Sequence, residues 1–131
     1  MPDYTANALD HFANPRNAGA LEGADLVGTA GTPGQGPHVQ MFVKLGGAGD
    51  GNSTTIADIR FKTWGCPAAI ASCSKLTEMV KGSPVAEALS VTPGNLLEAI
   101  GGLPLGKHHC PRLAVAALRD ALEDVKTAKG N

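Results

Sequence analysis

The 131 residues suit one domain, and 11 Lys and Arg nearly balance 12 Asp and Glu, for a formal net charge of -1. This balance argues against nucleic acid as a main partner, because strong binding to phosphate needs clustered positive charge. No apolar run approaches the ~20 residues that cross a bilayer, and the N-terminus lacks the basic start and apolar core of a secretory signal. We therefore expect a single domain over residues 1–131, in the cytoplasm, that binds neither nucleic acid nor membrane.

The first third of the chain predicts a short helix and one strand. Residues 4–12 suit a helix that stops at Asn14, because a residue before proline disfavours helical geometry. Residues 24–37 begin as a strand and continue into a loop rich in glycine and proline.

Two alternating segments then predict an antiparallel hairpin. One face of the run at 38–45 is apolar, and residues 46–52 form a flexible, glycine-rich turn. A second run at 53–64 is also apolar on alternate positions. The residues expected to face inward are Val39, Met41, Val43 and Leu45 on the first strand and Ala57, Ile59 and Phe61 on the second.

After Gly65 the apolar period changes to that of helices. Helical turns are expected over 84–90 and 94–101, and Gly82 and Pro84 should end the helix that precedes them. Strands followed by helices indicate an α+β fold, with helices on one face of a small antiparallel sheet. The helical apolar stripes are Ala69, Cys73, Leu76 and Val80, and, from Pro111 to about Lys126, Val115, Leu118, Leu122 and Val125.

Two of the three cysteines stand directly before a proline at a predicted helix start. Proline suits the first helical position, so Cys66 before Pro67 and Cys110 before Pro111 are each predicted to cap a helix. The positive end of a helix favours thiolate, the form that binds soft metals and attacks sulfur. The pattern by itself leaves open whether these thiols form a site or only cap helices.

The third cysteine is predicted to have a structural role. Cys73 follows Cys66 by seven residues, about 10 Å along a helix at ~1.5 Å per residue, so the two share a metal only if that helix is broken. We therefore expect Cys73 to pack in the core as a small hydrophobic residue.

Spacing does not assign roles to the four histidines. We interpret His11 as a packing or surface residue, and His38 opens a strand beside the glycine loop, where it faces either way. The side chains of the neighbouring His108 and His109 should diverge, so one of them is expected to share a site with Cys110.

Three ordered segments resemble motifs of the family that comprises IscU and the N-terminal domain of NifU, the scaffold proteins of iron–sulfur cluster assembly. DHFANPRNAG (10–19) resembles DH-x-x-NPRN-x-G, and RFKTWGCPAAIASCS (60–74) is similar to R-F-K-x-x-G-C-x-x-A-I-A-S-S/A-S. LPLGKHHCPRLA (103–114) resembles L-P-P-x-K-x-H-C-S-x-L-A. The resemblance implies the SufE/NifU-type fold, a three-stranded antiparallel sheet packed against about four to five helices, with the cluster site at one end.

The resemblance also implies which residues form the site. Cys66 and Cys110 match the second and third cysteine ligands, and His109 matches the ligand histidine directly before the cysteine, while His108 takes a variable position. Lys107 matches the lysine beside the site. The family's L-P-P-x-K segment docks an Hsp70/J-type chaperone, and here it reads LPLGK, with Leu105 in place of the second proline.

The glycine loop departs from the family pattern P-A-C-G-D. Residues 33–37 read PGQGP, so that Gln35 stands at the first cysteine and Pro37 at the aspartate. Glutamine is a weak, neutral ligand and the proline side chain offers none. Of four expected ligands, Cys66, His109 and Cys110 remain. The fourth coordination position is left to water, Gln35, His38 or a group of a partner protein.

Three functions stay open. The first is a non-enzymatic scaffold or carrier that holds iron or a labile [2Fe–2S] cluster on this incomplete ligand set. The second is a zinc site built from the same three residues, with water as a tolerated fourth ligand. The third is a degenerate paralogue that binds or regulates the cluster machinery, in which Cys110 accepts a persulfide sulfur.

The resemblance implies the partners of such a protein. They are a cysteine desulfurase, an iron donor or ferredoxin, and an Hsp70/J-type chaperone. No feature of the sequence decides whether the chain forms a homo-oligomer, which metal it binds or which proteins receive a cluster. No base is placed for hydrolysis, so we do not infer an enzyme.

Overall fold

The computed structural model describes residues 5–31, 38–47, 54–64, 67–103 and 105–129. Within these ranges the predicted α+β class is confirmed, and no helix is long and apolar enough to cross a bilayer. The elements are α1 (Ala6–Ala13), β1 (Leu26–Gly31), β2 (His38–Gly47), β3 (Thr54–Trp64), α2 (Pro67–Val80), α3 (Val85–Leu89), α4 (Pro93–Ile100), a 3-10 turn (Leu105–Lys107) and α5 (His109–Lys129).

The three strands form one antiparallel sheet in the order β1-β2-β3. The inward face predicted for β2 is confirmed, since Val39, Met41 and Val43 are fully buried and Leu45 is half-buried. Helices α2 and α5 pack on this face. Strand β2 continues through Gly47, so the turn predicted at 46–52 begins later, and residues 48–53 lie outside the described residues.

The inward face predicted for β3 was wrong at one position. Ile59 and Phe61 are buried as expected, but Ala57 is exposed and its neighbour Ile56 is fully buried instead. The alternation therefore changes phase between residues 56 and 59.

A β-bulge causes this change of phase. Lys44 pairs with Asp58, whereas the next residue, Leu45, pairs with Ile56, so Ala57 is an extra residue on β3. One extra residue in a strand reverses the faces of all residues beyond it, because successive side chains point to opposite sides.

A matched pair of substitutions tests the bulge. We expect Ile56→Ala to lower the free energy of unfolding by ~2–5 kcal/mol, the usual cost of emptying a core site. We expect Ala57→Ser to change it by less than ~0.5 kcal/mol, because residue 57 faces solvent. Urea denaturation measures both. A larger loss of stability in Ala57→Ser than in Ile56→Ala would mean that residue 57 faces the core and that β3 has no bulge.

The helical predictions hold except at the start of α5. The stripe along α2 is buried, and α4 has Thr92 as its N-cap and Gly101, with a φ of 92°, as its C-cap. Helix α5 begins at His109, not at Pro111, so Cys110 lies in its first turn and is not its cap. Val115, Leu118 and Leu122 of α5 are buried as predicted, whereas the side chain of Val125 lies outside the described residues.

The preceding turn explains the early start of α5. The 3-10 turn Leu105–Lys107 ends two residues before His109, so the backbone is already coiled there. The first four N–H groups of a helix have no intrahelical acceptor, so Pro111, which lacks an N–H, fits inside the first turn.

His11 is a packing residue with polar partners. It is 2% exposed, its Nδ1 lies 2.7 Å from the Ser74 hydroxyl, and its Nε2 lies 3.6 Å from Glu78. The same hydroxyl accepts a hydrogen bond from the Arg16 N–H at 2.9 Å. These contacts fasten α1 and the segment after it to α2. Burial, and then the positive charge of Arg16, lowers the pKa of His11 below 6.5.

This lowered pKa predicts acid sensitivity. The folded state keeps His11 neutral, while the unfolded chain binds a proton below about pH 6.5, so stability is present above that pH and is lost as pH falls through the folded pKa. One such proton steepens the loss by up to ~1.4 kcal/mol per pH unit. The free energy of unfolding from pH 7.5 to 5 should show this slope.

Two glutamine variants separate His11 from the other histidines. His11→Gln keeps an amide near Ser74 but cannot titrate, so the slope between pH 6.5 and 5 should flatten. The control is His108→Gln, which replaces another histidine and leaves His11 in place, so the contribution of His11 to the slope should remain. An unchanged slope in His11→Gln would assign the acid sensitivity to another group.

Candidate metal and sulfur site

The first turn of α5 brings a thiol and an imidazole together. Cys110 Sγ lies 3.6 Å from His109 Nε2, although the two residues are consecutive. Cys110 is 1% exposed, whereas the His109 side chain is exposed to solvent. Negative charge is generally favoured in the first turn of a helix, because the N–H groups there have no intrahelical acceptor. The pair therefore offers one sulfur and one nitrogen donor at a single point.

His108 has a different task from His109. Its Nε2 lies 2.9 Å from the Leu103 carbonyl oxygen, and this contact ties the start of α5 to the segment before the 3-10 turn. Lys107 ends that turn and is half-buried, two residues before His109. Lys107 therefore belongs to the segment that leads directly into His109 and Cys110.

Cys73 packs in the core as predicted. It is fully buried on α2, in the same hydrophobic cluster as Cys110. Burial, reinforced by the nearby Cys110, raises the pKa of the Cys73 thiol far above its usual range. Cys73 therefore stays a neutral thiol. Its position near Cys110 was not predicted, because it depends on how α2 packs against α5.

His38 lies on the outer face of the sheet and is only 6% exposed. Its ring stacks on the Trp64 ring, with centroids 4.2 Å apart and planes 6° from parallel. Its Nδ1 is buried without a hydrogen-bond partner in the described residues. The register that pairs His38 with Trp64 produces this stack, which residue spacing within a strand does not reveal.

Two predicted site residues, Gln35 and Cys66, lie outside the described residues, as does Pro37, which stands at the family's aspartate position. So do Pro104 and the side chain of Leu105 in the LPLGK segment. Cys66 is predicted from its place in the chain, directly before the observed start of α2 at Pro67. Among residues that the structure describes, no three His, Cys, Asp or Glu side chains cluster to hold a metal ion. His38 is thus not brought together with His109 and Cys110.

Known proteins are similar to this chain over nearly its whole length. Residues 3–130 match the family model of the NifU-like N terminal domain. Iron-sulfur cluster assembly scaffold protein IscU 1 of Archaeoglobus fulgidus is 46% identical over 121 residues, covering 92% of this chain and 75% of the relative. Iron-sulfur cluster assembly scaffold protein IscU of Aquifex aeolicus is 44% identical over 128 residues, covering 98% and 79%.

A solved structure shows the same fold. The N-terminal part of a nitrogen-fixing NifU-like protein from Brucella abortus superposes with a TM-score of 0.69 at 20% identity, covering 95% of each chain. At that identity the likeness concerns the fold alone, whereas the family model and the two IscU relatives carry the assignment. The chain belongs to the family of the NifU-like N-terminal domain.

Proposed function

We propose that this protein is a non-enzymatic scaffold or carrier in iron–sulfur cluster assembly, acting in the cytoplasm as a single domain. Relatives at 44–46% identity bear the name of such scaffolds, which supports this role. The observation that carries the proposal is the contact between His109 and Cys110 in the first turn of α5. A thiolate and an imidazole are the donor types that hold iron in such clusters.

The proposed ligand set is Cys66, His109 and Cys110. Two thiolates and one imidazole suit a [2Fe–2S] cluster or iron, and one position stays open because Gln35 replaces the first cysteine. Of the two described donors, Cys110 is buried in the core and His109 is exposed to solvent. A cluster held by three groups is easily released, which suits a protein that passes its cluster on. The positive charge of Lys107, two residues before His109, would stabilise the negative charge of the cluster.

Sulfur delivery defines the first partner, a cysteine desulfurase. The Cys110 thiolate attacks the outer sulfur of a persulfide on the desulfurase, forms a new S–S bond there, and releases the desulfurase cysteine as a thiolate. An iron donor or ferredoxin supplies iron and electrons. An Hsp70/J-type chaperone would dock at the altered LPLGK segment.

Iron and acid-labile sulfide analysis after anaerobic reconstitution tests this role. We expect the natural chain to take up both elements and to lose them to a chelator. Gln35→Cys, which adds the missing thiol, should slow that loss at least tenfold. The matched control is Gln40→Cys, which adds a thiol to the half-buried position 40 of β2 and should leave the rate unchanged.

Two results would contradict the scaffold role. Uptake of zinc without iron or sulfide would favour the zinc site. Uptake by Gln35→Cys but not by the natural chain would make this protein a degenerate paralogue that binds or regulates the machinery.

A further inference from the structure

The outer edge of β3 is covered by the protein's own chain in two places. Near the start of β3, the Ile56 N–H donates to the Ser83 carbonyl at 2.9 Å, and Gly82 donates back to Ile56. Further along, the Phe61 N–H donates to the Asn17 carbonyl at 3.0 Å. Gly19 returns a bond of 2.8 Å to the Phe61 carbonyl. Covering segments of this kind protect an edge strand from pairing with other chains.

The cover stops before the end of the strand. In an antiparallel pair, alternate residues point their backbone groups away from the neighbouring strand, so Thr63 faces outward as Phe61 does. No described residue bonds to the outward N–H or C=O of Thr63, although its hydroxyl donates to the His38 carbonyl at 3.0 Å. Within the described residues, the backbone N–H and C=O of Thr63 are thus available to a segment of another chain.

An apolar groove of about 360 Å³ adjoins this part of the edge. Its size falls within the range of clefts that bind ligands. Trp64 forms one wall and is 47% exposed, but its ring is held in place by the stack with His38. A large aromatic side chain already fixed in position loses little entropy on binding, which is typical of interface anchors. The lining includes Pro15, Ala18, Phe61, Lys62, Trp64 and Ile70.

The charge around the groove is positive. Lys62 places its Nζ 5.6 Å from the centre of the Trp64 ring. Arg60 precedes it by two residues on the same face of β3, and both side chains are exposed. Lys62 forms no ion pair with a described carboxylate, whereas Arg60 interacts with Asp58 on its own strand. No acidic residue is among the described lining residues of the groove. A carboxylate on a partner could therefore pair with the Lys62 ammonium group.

We propose that this groove binds a short extended segment of a partner protein, an apolar side chain flanked by carboxylates, which adds to the β3 edge at Thr63. Strand addition supplies the backbone hydrogen bonds, and the groove and Lys62 select the side chains. Trp64 stands two residues before Cys66, so the partner docks beside the chain that carries a proposed ligand. The inference does not require that a cluster be bound.

Two synthetic peptides test the proposal on the full chain without metal. One is acetyl-Glu-Glu-Val-Leu-Val-Glu-amide, and the other replaces each Glu with Lys. Trp64 is the single tryptophan of the chain, so its fluorescence reports on the groove. We expect saturable binding of the acidic peptide, at least tenfold tighter than that of the basic one, and slower hydrogen exchange at the Thr63 amide.

Charge reversal locates the binding site. Lys62→Glu should weaken binding of the acidic peptide at least tenfold. It should also reduce or reverse the preference for the acidic over the basic peptide. The same reversal at Lys44, exposed on β2 near the other end of the sheet, is the control and should change affinity less than twofold. Thermal unfolding of both variants verifies that they are folded.

The proposal is overturned by any of three results. These are no saturable fluorescence change with the acidic peptide up to 1 mM, equal affinity for the two peptides, and equal weakening by Lys62→Glu and Lys44→Glu. Protection of amides elsewhere with none at Thr63 would likewise exclude strand addition.

Discussion

Gly28→Ala is expected to destabilise the protein strongly, lowering its free energy of unfolding by at least ~3 kcal/mol. Gly28 lies in β1, where the strand packs directly on α5, and a Cβ there would overlap the carbonyl oxygen of Ala117 and the amide nitrogen of Ala121. Both obstacles are backbone atoms, so no change of rotamer relieves the overlap. The helix has to move away from the sheet, at a cost above the ~1–3 kcal/mol of ordinary overpacking.

Urea denaturation should show a loss of at least ~3 kcal/mol, a large part of the ~5–15 kcal/mol that stabilises most domains. The matched control is Gly94→Ala on α4, where the nearest atom to a new Cβ is the Thr92 hydroxyl at an ordinary 3.7 Å. Alanine is the better helix former, so this variant should be as stable as the natural chain or up to ~1 kcal/mol more stable. Equal stability of the two variants would mean that β1 and α5 are not in close contact.

The same contact holds the candidate site in place. Asp120 of α5 accepts a hydrogen bond from the Thr29 N–H of β1 at 2.9 Å, so the helix also binds the backbone of this edge strand. Because α5 carries His109 and Cys110 in its first turn, any change that shifts α5 along β1 also shifts these donors. The absence of a side chain at Gly28 is therefore a condition for the geometry of the site.

The sheet was predictable only as far as its strands are regular. Alternation identified the buried face of β2, because a period of two follows directly from strand geometry. It failed at Ala57, since a bulge depends on how two strands pair and leaves no mark in the pattern of one strand. The interchanged burial of Ile56 and Ala57 became visible only with the register.

The site was predictable where local chain geometry determines it. Two cysteine–proline steps indicated helix starts, and the structure places Cys110 in the first turn of α5. The stack of His38 on Trp64 and the nearness of Cys73 to Cys110 arise from contacts between separate elements. Residue spacing along one segment does not contain such contacts. His38 was one of four options given from the sequence for the fourth position, and its ring stacks on Trp64 on the outer face of the sheet.

Cys110→Ala is expected to abolish the binding of iron and sulfide, whereas Cys73→Ala should preserve it. The two cysteines form a matched pair, because both are buried, at 1% and 0% exposure, and each variant loses one sulfur atom from the same core. Their costs in stability should therefore be similar, at about 1–2 kcal/mol each. Their surroundings differ, because Cys110 contacts the His109 imidazole in the first turn of α5, whereas Cys73 lies within α2, where burial raises the pKa of its thiol.

Iron and acid-labile sulfide per chain after anaerobic reconstitution, measured beside thermal unfolding, separates the two effects. Loss of a direct ligand should weaken iron binding more than the ~10–100-fold that follows loss of an outer hydrogen-bond partner of a metal site. Cys110→Ala should thus retain little of either element at a melting temperature close to that of Cys73→Ala. Equal loading of the two variants would remove Cys110 from the ligand set. Loss of iron and sulfide in Cys73→Ala alone would mean that Cys73, and not Cys110, is the ligand.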